Sequence, residues 1–278
     1  MIRWKATLCA LLLVTACKSS TEFDVDGVRI YGLDGANNLV EFGSRSEDAV
    51  RRREITGLQP GEILVGIDYR AGSPSLYAVG NTSRLYIIET GDEGDDDDVI
   101  ARPVAGPFVP ALEGEAFGTD FHPGADRLRV HGSGGQNLRL DPAGTVSATD
   151  PPLAYAPGDP GAITTPRIAG TAYTTAAPTL LYGIDSNRDV LVTFPNPDAG
   201  VVRTVGPLGL NTSDDVGFDI VVTRDGPIAF AVLSEARVSR LYRIDLATGT
   251  PTLIGRLATR TPIRSIAVPP GQTERPSD

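Results

Sequence analysis

The chain has 278 residues, a formal net charge of −10 and 22% charged residues, with only two cysteines and two histidines. A protein this acidic is a poor nucleic-acid binder, because the phosphate backbone repels it, and we predict no such partner. Both cysteines lie within the first seventeen residues, which excludes a disulfide-stabilised scaffold and leaves packing to hold the fold together.

The N-terminal seventeen residues have the features of a bacterial lipoprotein signal. Arg3 and Lys5 precede an apolar run over residues 8–16, which is too short to span a bilayer because a spanning helix needs about 20 apolar residues. The run ends in VTAC at 14–17, which resembles the lipobox of bacterial lipoproteins. In that class Cys17 carries the lipid, and several acyl chains together anchor a protein stably. An ordinary cleaved signal followed by a chance cysteine is the alternative.

This signal predicts the organisation of the chain and its location. We predict a signal peptide over 1–16, a lipidated N-terminus and short linker over 17–26, a β domain over 27–270 and a disordered tail over 271–278. Removal of the signal peptide takes away two positive charges and moves the formal net charge from −10 to −12. Lys18 stands where an inner-membrane retention signal would place Asp, so the class analogy favours the outer membrane of the cell envelope.

Strand-like segments fill the remainder of the chain. Gly, Pro, Asp and Asn interrupt it about every ten residues, and the segments between them are rich in Val, Ile, Leu, Tyr and Thr without a helical period. The acidic run Asp95–Asp98 lies between two such segments. A run of this kind is typical of a solvated loop, with a calcium site as the alternative. The pattern predicts an all-β protein.

One short phrase recurs five times at nearly constant spacing. Its copies begin at Gly66, Gly118, Gly170, Gly217 and Ser265. A second and a third strand-like phrase follow in register, and a fourth apolar run, such as 99–104 or 252–257, completes each copy. Four antiparallel strands in about 50 residues match one blade of a β-propeller, which buries both faces by packing against neighbouring blades.

The last copy of the first strand, residues 263–268, has no second, third or fourth strand after it. Segments 30–33, 39–42 and 53–58 near the N-terminus match the missing strands. We therefore predict a five-bladed β-propeller of four-stranded antiparallel blades. Pairing of the N- and C-terminal strands closes the ring and leaves no open sheet edge.

Three segments of the second copy, which begins at Gly118, carry a resemblance to a known family. They are FGTDFHP at 117–123, DRLRV at 126–130 and GQNLRLDP at 135–142, which are similar to the central signature of the bacterial domain-of-unknown-function 4394 family. Residues 181–193 resemble its next block, and the resemblance extends from about Ile30 to Val268. It implies an exported protein with a propeller-like β fold, and it supplies no activity and no catalytic residue.

Three aspartates occupy one equivalent position in the repeated first strand. They are Asp68, Asp120 and Asp219, and alanine fills the same position in the other two copies. In one interpretation they form a carboxylate cluster around the central channel, suited to a hard cation such as Ca²⁺. In the other, each carboxylate accepts hydrogen bonds from backbone amides of the next hairpin and fixes its blade.

Further candidates lie in the loops and in the second copy. The long loops between blades are expected to bring five carboxylates to one rim, which is the predicted binding surface, with a plain acidic surface as the alternative: Glu113, Glu115, Asp159, Asp214 and Asp215. His122 precedes Pro123 in a predicted hairpin and His131 ends the following strand, so we expect the two rings to point apart rather than to form a metal or acid–base pair.

The sequence contains no nucleophile motif and no phosphate-binding loop, so no catalytic residue is assigned. We expect a monomeric, non-enzymatic binding or interaction scaffold, held on the membrane through Cys17, that presents its rim to an envelope protein, a glycan or a small ligand. The alternative is a metal-dependent hydrolase or lyase with the three aspartates in the propeller channel. A purely structural envelope component fits the same sequence.

Overall fold

The computed structural model describes residues 25–45, 50–90, 98–223 and 226–272. Within these ranges the chain consists of β-strands, connecting loops and one short 3-10 helix, Pro197–Ala199. The prediction of an all-β protein is confirmed. No helix in the described ranges is long and apolar enough to cross a membrane. The signal segment with Cys17 and most of the acidic run, Asp95–Asp97, lie outside the described residues.

The strands sort into five groups, here called units 1 to 5, of which unit 4 has five strands and each of the others has four. Unit 1 begins with β1 (Arg29–Asp34), β2 (Asn38–Gly43) and β3 (Val50–Thr56). Unit 2 contains β4 (Leu64–Tyr69), β5 (Leu76–Gly80), β6 (Arg84–Thr90) and β7 (Val99–Pro103). Unit 3 contains β8 (Phe117–His122), β9 (Arg127–Gly132), β10 (Asn137–Leu140) and β11 (Val146–Thr149).

Units 4 and 5 complete the described chain, which then returns to unit 1. Unit 4 contains the two-residue strand β12 (Ala154–Tyr155), then β13 (Ile168–Tyr173), β14 (Leu181–Asp185), β15 (Val190–Asn196) and β16 (Val201–Pro207). Unit 5 contains β17 (Val216–Thr223), β18 (Gly226–Glu235), β19 (Val238–Ile244) and β20 (Pro251–Arg256). The last strand, β21 (Ile263–Ala267), belongs to unit 1.

Unit 1 joins the two ends of the described chain. Strand β1 pairs antiparallel with β2 on one side and with β21 on the other, and the β21 register places Tyr31 opposite Ala267 and Gly32 opposite Ile266. The first strand of this unit therefore comes from the C-terminal part of the sequence, and the other three come from the N-terminal part.

Hydrogen bonding divides the strands into sheets of eight, four, five and four strands, which differs from five separate blades. Units 1 and 2 merge because their outer strands β3 and β7 pair in parallel, Ile55 with Val99 and Thr56 with Ile100. The contact satisfies polar groups at two outer edges, and the Thr56 hydroxyl also donates to the Val99 carbonyl at 3.2 Å. In unit 4, β12 adds a parallel fifth strand beside β16.

The first strands of the units lie side by side, and this explains why the repeated phrase begins with glycine. Strand β4 contacts β8 and β21, β13 contacts β8 and β17, and β17 contacts β21. A Cβ atom on Gly118 of β8 would lie 2.7 Å from Oγ1 and 2.9 Å from the amide nitrogen of Thr171 on β13. In the one copy that has serine, the Ser265 hydroxyl instead accepts from the amide of Ile67 at 3.0 Å.

The hydrophobic core lies between neighbouring units. One cluster combines Tyr77 and Val79 of unit 2 with Phe121 and Val130 of unit 3, and the rings of Tyr77 and Phe121 meet edge to face at 5.2 Å. Each unit alone would leave such side chains in water, so burial of apolar surface requires the neighbours to be in place.

Candidate functional site

The three aspartates of the repeated phrase meet in the structure. Asp68 on β4, Asp120 on β8 and Asp219 on β17 are all buried, and one carboxylate oxygen from each lies within 4.8 Å of the others. Each follows the phrase's glycine by two residues, so the close approach of adjacent first strands also brings the carboxylates together.

Each carboxylate bonds the neighbouring first strand. The amide of Phe121 on β8 donates to Asp68 Oδ2 at 2.6 Å, and the amide of Val268 donates to Asp219 Oδ2 at 2.6 Å. The amide of Tyr173 on β13 donates to Asp120. The second of the two interpretations drawn from the sequence predicted that the amide partners lie in the next hairpin. The observed partner is instead the residue after the equivalent position in the adjacent first strand.

Two further amides complete the pattern. Asp219 Oδ1 accepts from the amide of its own successor, Ile220, at 2.6 Å, and Asp68 accepts from the amide of Tyr69. Ile220 lies on β17 beside β13, and Tyr69 lies on β4 beside β21. Both β13 and β21 carry alanine at the aspartate position, so neither strand offers a carboxylate to its neighbour. Three carboxylates thus satisfy one amide on each of the five first strands, which gives them a structural role.

Burial and mutual repulsion raise the pKa of these carboxyl groups. For Asp68 and Asp120 the pKa is raised well above its ordinary value, first by loss of solvent and then by the negative charge of the other aspartates. Burial raises the pKa of Asp219 to about 6, although the amides of Val268 and Ile220 oppose the shift. A cluster with such pKa values holds a proton or attracts a cation at neutral pH.

A pocket of about 430 Å³ opens above the three carboxylates. Its walls are largely aromatic and aliphatic and include the residue that follows the aspartate position in every copy of the repeat: Tyr69, Phe121, Tyr173, Ile220 and Val268. The one other charged lining residue in the described part of the chain is Arg70, whose guanidinium is bonded to Asp126 at 2.6 and 2.7 Å. The floor of the pocket is therefore acidic and its walls are apolar.

Comparison with known proteins identifies the family. The family model described as "Domain of unknown function (DUF4394)" matches residues 38–267. The chain belongs to this family. The resemblance seen in residues 117–142 is thereby confirmed, and that signature lies on β8, β9 and β10 of unit 3. The family description assigns no activity to DUF4394 proteins.

Two solved structures are similar to this DUF4394 chain at low identity. A structural genomics protein of unknown function from Bacteroides thetaiotaomicron is 15% identical with a TM-score of 0.50, over 92% of this chain and 64% of its own. A catalytically inactive virginiamycin B lyase from Staphylococcus aureus with quinupristin is 12% identical with a TM-score of 0.43, over 87% of this chain and 73% of its own. No curated protein matches the sequence. The Bacteroides structure supports the fold alone.

The predicted acidic rim of the DUF4394 chain contains an ion-pair cluster. The Arg167 guanidinium, which sequence reasoning did not single out, bonds Asp214 through Nε at 2.8 Å and Glu115 at 3.0 Å. The Ser186 hydroxyl donates to Asp214 at 2.7 Å, and the Arg167 hydrogen bond lowers the pKa of Asp214. Glu115 and Asp214 therefore do converge, around a cation of the chain itself.

The other three rim candidates take no part in the ion pairs of Arg167. Asp159 accepts from the amide and the hydroxyl of Thr204 on β16 at 2.8 Å, which fastens its loop to the outer strand of unit 4. Asp215 is half-buried, and burial raises its pKa while the Arg264 charge opposes the shift. Glu113 is exposed, and its backbone amide donates to the side chain of Gln136 at 2.9 Å.

The rim and the pocket lie at opposite ends of the first strands. Glu115 and Asp214 precede β8 and β17, whereas the pocket residues Phe121 and Ile220 lie beyond the aspartates toward the other end of those strands. The signal that could have revealed the pocket is present in the repeat, because an aromatic or aliphatic residue follows the aspartate position in all five copies.

The two histidines occupy separate environments. Nδ1 of His122 accepts from the amides of Gly124 and Ala125 at 3.0 Å, and its ring packs on Tyr173 at 4.8 Å. His131 is buried and stacks on Phe194, and burial lowers its pKa well below the ordinary value. Their different packing partners agree with the expectation that they do not form a pair.

Proposed function

We propose that this DUF4394 protein is a lipid-anchored, monomeric binding protein of the bacterial cell envelope. In this proposal its five units are the blades of a closed five-bladed propeller, and a small ligand binds in the pocket above Asp68, Asp120 and Asp219. The observation that carries the binding role is this pocket, which combines apolar walls with a convergent set of buried carboxyl groups whose pKa values are raised.

The closed ring is supported by contacts between the first and last strands of the repeat. Strand β21 contacts both β17 and β4, so each first strand has two first-strand neighbours. The Ser265 hydroxyl bonds the backbone of Ile67, and Val268 bonds Asp219, which links unit 1 to units 2 and 5. Ring closure would place the three aspartates at the axis and the pocket at one mouth of the channel.

The chemistry of the pocket favours a ligand with an apolar body and a protonated amine. Tyr69, Phe121 and Tyr173 offer ring surface to the body, and the carboxylates offer acceptors and negative charge to the amine. The lining guanidinium, that of Arg70, is already bonded to Asp126. A ligand with a carboxylate in the same place would meet repulsion from the floor.

Calorimetric titration with benzylamine tests this function, with benzyl alcohol as the uncharged arm. Thr175 is exposed and lines the pocket, so Thr175→Trp should obstruct the mouth without touching the carboxylates. The neighbouring exposed residue gives the matched control, Ala176→Trp. We expect the wild type and the control to bind benzylamine more tightly than benzyl alcohol, and T175W to bind neither. Equal binding by the two variants, or none by the wild type, contradicts the proposal.

A metal-dependent hydrolase or lyase acting from the channel is the second candidate. The observation that favours it is the 4.8 Å convergence of three carboxylate oxygens, because hard cations such as Ca²⁺ take oxygen ligands. Elemental analysis of the purified protein tests it. A stoichiometric divalent cation that is lost in Asp120→Asn supports the metal site, whereas a metal content unchanged by that substitution counts against it.

The lipid anchor makes a separate prediction. Replacing Cys17 with Ser removes the residue that would be acylated, so the variant should move from the membrane fraction to the soluble envelope fraction. Immunoblotting of fractionated cells measures the change. Cys9→Ser, within the predicted signal peptide, is the matched control and should leave the protein on the membrane. Membrane association that survives Cys17→Ser would overturn the lipoprotein assignment.

A further inference from the structure

A second pocket, of about 340 Å³, lies between units 3 and 4 and has the opposite charge character from the first. Its basic lining residues are His122, Arg127, Arg129 and Arg139, and its one acidic lining residue in the described chain is Asp198. Tyr173 lines both pockets. In a chain with a formal net charge of −10, a pocket lined by three guanidinium groups and one carboxylate is a local exception.

Two of these arginines form the rigid back of the pocket. Arg129 is almost fully buried and donates to Tyr173 Oη at 2.8 Å, to Asn137 at 2.7 Å and to Asp150 at 3.0 Å, with a further bond to Asp198. Arg139 bonds the same two carboxylates, Asp150 at 2.7 Å and Asp198 at 3.2 Å. These bonds fix the guanidinium groups, and the two carboxylates balance their charges.

Arg127 adds a positive charge that this network does not balance. Its Nη1 donates to the backbone carbonyls of Asp126 at 2.8 Å and Ala125 at 3.5 Å, while the Asp126 carboxylate is bonded to Arg70. A guanidinium held by carbonyl oxygens keeps donors for a ligand and its full charge. Counting Asp150 behind the wall and the Arg70–Asp126 pair beside Arg127, four guanidinium groups face three carboxylates, so one positive charge remains.

His122 contributes a directed donor at the same wall. Because its Nδ1 accepts from the amides of Gly124 and Ala125, the neutral ring carries its proton on Nε2. Packing against Tyr173 at 4.8 Å holds the ring in place. An imidazole N–H beside a guanidinium is a combination that suits a phosphate or carboxylate group.

The opposite wall of the pocket is apolar. Leu181 and Phe194 are buried there, and Leu180 is 42% exposed, one of the more exposed large hydrophobic side chains in the described chain. We propose that this pocket binds a small ligand in which a phosphate or carboxylate group is joined to an apolar body. The site is separate from the acidic pocket and goes beyond the function proposed for it.

Calorimetric titrations with phenyl phosphate, benzoate and inorganic phosphate test this site. We expect phenyl phosphate or benzoate to bind the wild type, the tighter of the two identifying the anion, and inorganic phosphate to bind more weakly because it lacks the apolar body. Arg127→Gln should raise the dissociation constant about tenfold or more, since a charged hydrogen bond is lost. Arg256→Gln, at an exposed position on β20 of unit 5, is the matched control and should bind as the wild type does.

A second variant separates the two halves of the site. Leu180→Ser removes exposed apolar surface and keeps every charge, so it should weaken phenyl phosphate and leave inorganic phosphate unchanged. Thermal melting verifies that each variant is folded. The proposal is overturned if neither aromatic anion binds the wild type at millimolar concentration, or if R127Q and R256Q bind alike.

Discussion

A chain that stops before Thr261 should fail to reach the folded state. The deletion removes β21, the first strand of unit 1, and with it the buried side chains of Ile263, Ile266 and Val268. Burial of each such side chain is worth about 1.5–3 kcal/mol. Net stabilities of domains are only about 5–15 kcal/mol, so this loss alone approaches the whole.

Lost backbone partners add to the effect. Strand β1 loses the partner that it pairs with from Tyr31 to Asp34, and Asp219 loses the Val268 amide. In a closed ring the gap also exposes β4 and β17, which both contact β21, so the defect spreads to units 2 and 5. Since each unit is completed by its neighbours, we expect the chain to lose all its cooperative structure together.

Far-UV circular dichroism and thermal melting measure the outcome. The matched control is a chain that ends at Gln272, the last described residue, which keeps β21 and should melt like the full chain. A native melting temperature in the chain that ends at Arg260 would show that the ends are not joined in a ring. It would also remove the argument that places the three aspartates at a common axis.

The repeat allowed the fold to be predicted from the sequence, because glycine two residues before the aspartate position marks four of the five first strands and serine marks the fifth. Strand β21 was expected at 263–268 and is observed at Ile263–Ala267. The N-terminal partner was expected at 30–33 and is observed at Arg29–Asp34. Alternation of apolar residues locates a strand. It does not report which outer edges meet, so the parallel pairing of β3 with β7 was missed.

The sequence did not predict the location of the pocket above the three aspartates, and the reason is physical. Sequence reasoning favours long loops as binding sites, and it therefore selected the loops between units. The loop between β12 and β13 is long, but Asp159 bonds it to Thr204 on β16, and the loop contributes no lining residue to the described pocket above the aspartates. That pocket arises where the first strands converge, and convergence depends on how the units are packed rather than on loop length.

The sequence left open whether the aspartates converge or bond backbone amides, and the structure shows both, with amide partners other than those expected. Their partners lie on adjacent first strands rather than in hairpins, as Asp68 and Phe121 illustrate. Which amide a carboxylate reaches depends on the stagger between units, and no residue pattern within one unit encodes that stagger. The same limitation hid Arg167, whose partners Glu115 and Asp214 come from two different loops.

Replacing Asp120 with Asn should stabilise the protein at alkaline pH. Burial, followed by the charges of Asp68 and Asp219, raises the pKa of Asp120 well above its ordinary value. A carboxyl group whose pKa is raised on folding binds its proton more tightly in the native state. Its contribution to stability is therefore complete below the unfolded pKa near 3.8 and is lost as the pH rises through the folded value.

The pKa of Asp219 indicates how much stability one carboxyl group of the cluster loses between acidic and alkaline pH. The pKa of Asp219 rises from 3.8 to about 6, and a shift of this size corresponds to roughly 3 kcal/mol of stability lost between acidic and alkaline pH. Asn at position 120 carries no charge at any pH, and its carbonyl can still accept from the Tyr173 amide. We therefore expect a higher melting temperature for D120N than for the wild type at about pH 8, and a smaller fall from about pH 5.

Other titrating groups do not produce this difference between the wild type and D120N in the pH dependence of stability. The pKa values of His122 and His131 are lowered by burial, so their effect on stability is confined to pH values below 6.5 and is common to both proteins. Asp34 and Asp214 have lowered pKa values, and the stability they provide is lost only as the pH falls below 3.8. The comparison between wild type and variant isolates the cluster.

Asp219→Asn is the informative control because, like D120N, it removes one negative charge, but it also breaks a hydrogen bond to a backbone amide. Asp219 accepts from Ile220 with one oxygen and from Val268 with the other, so the amide nitrogen of Asn would face a backbone N–H donor. D219N should therefore be less stable than the wild type at about pH 5, where D120N is not. If D120N melts below the wild type at both pH values, the carboxylates do not repel one another.

Added calcium then distinguishes the two candidate functions, because a cation held by all three aspartates would stabilise the wild type more than D120N and reverse their order at alkaline pH.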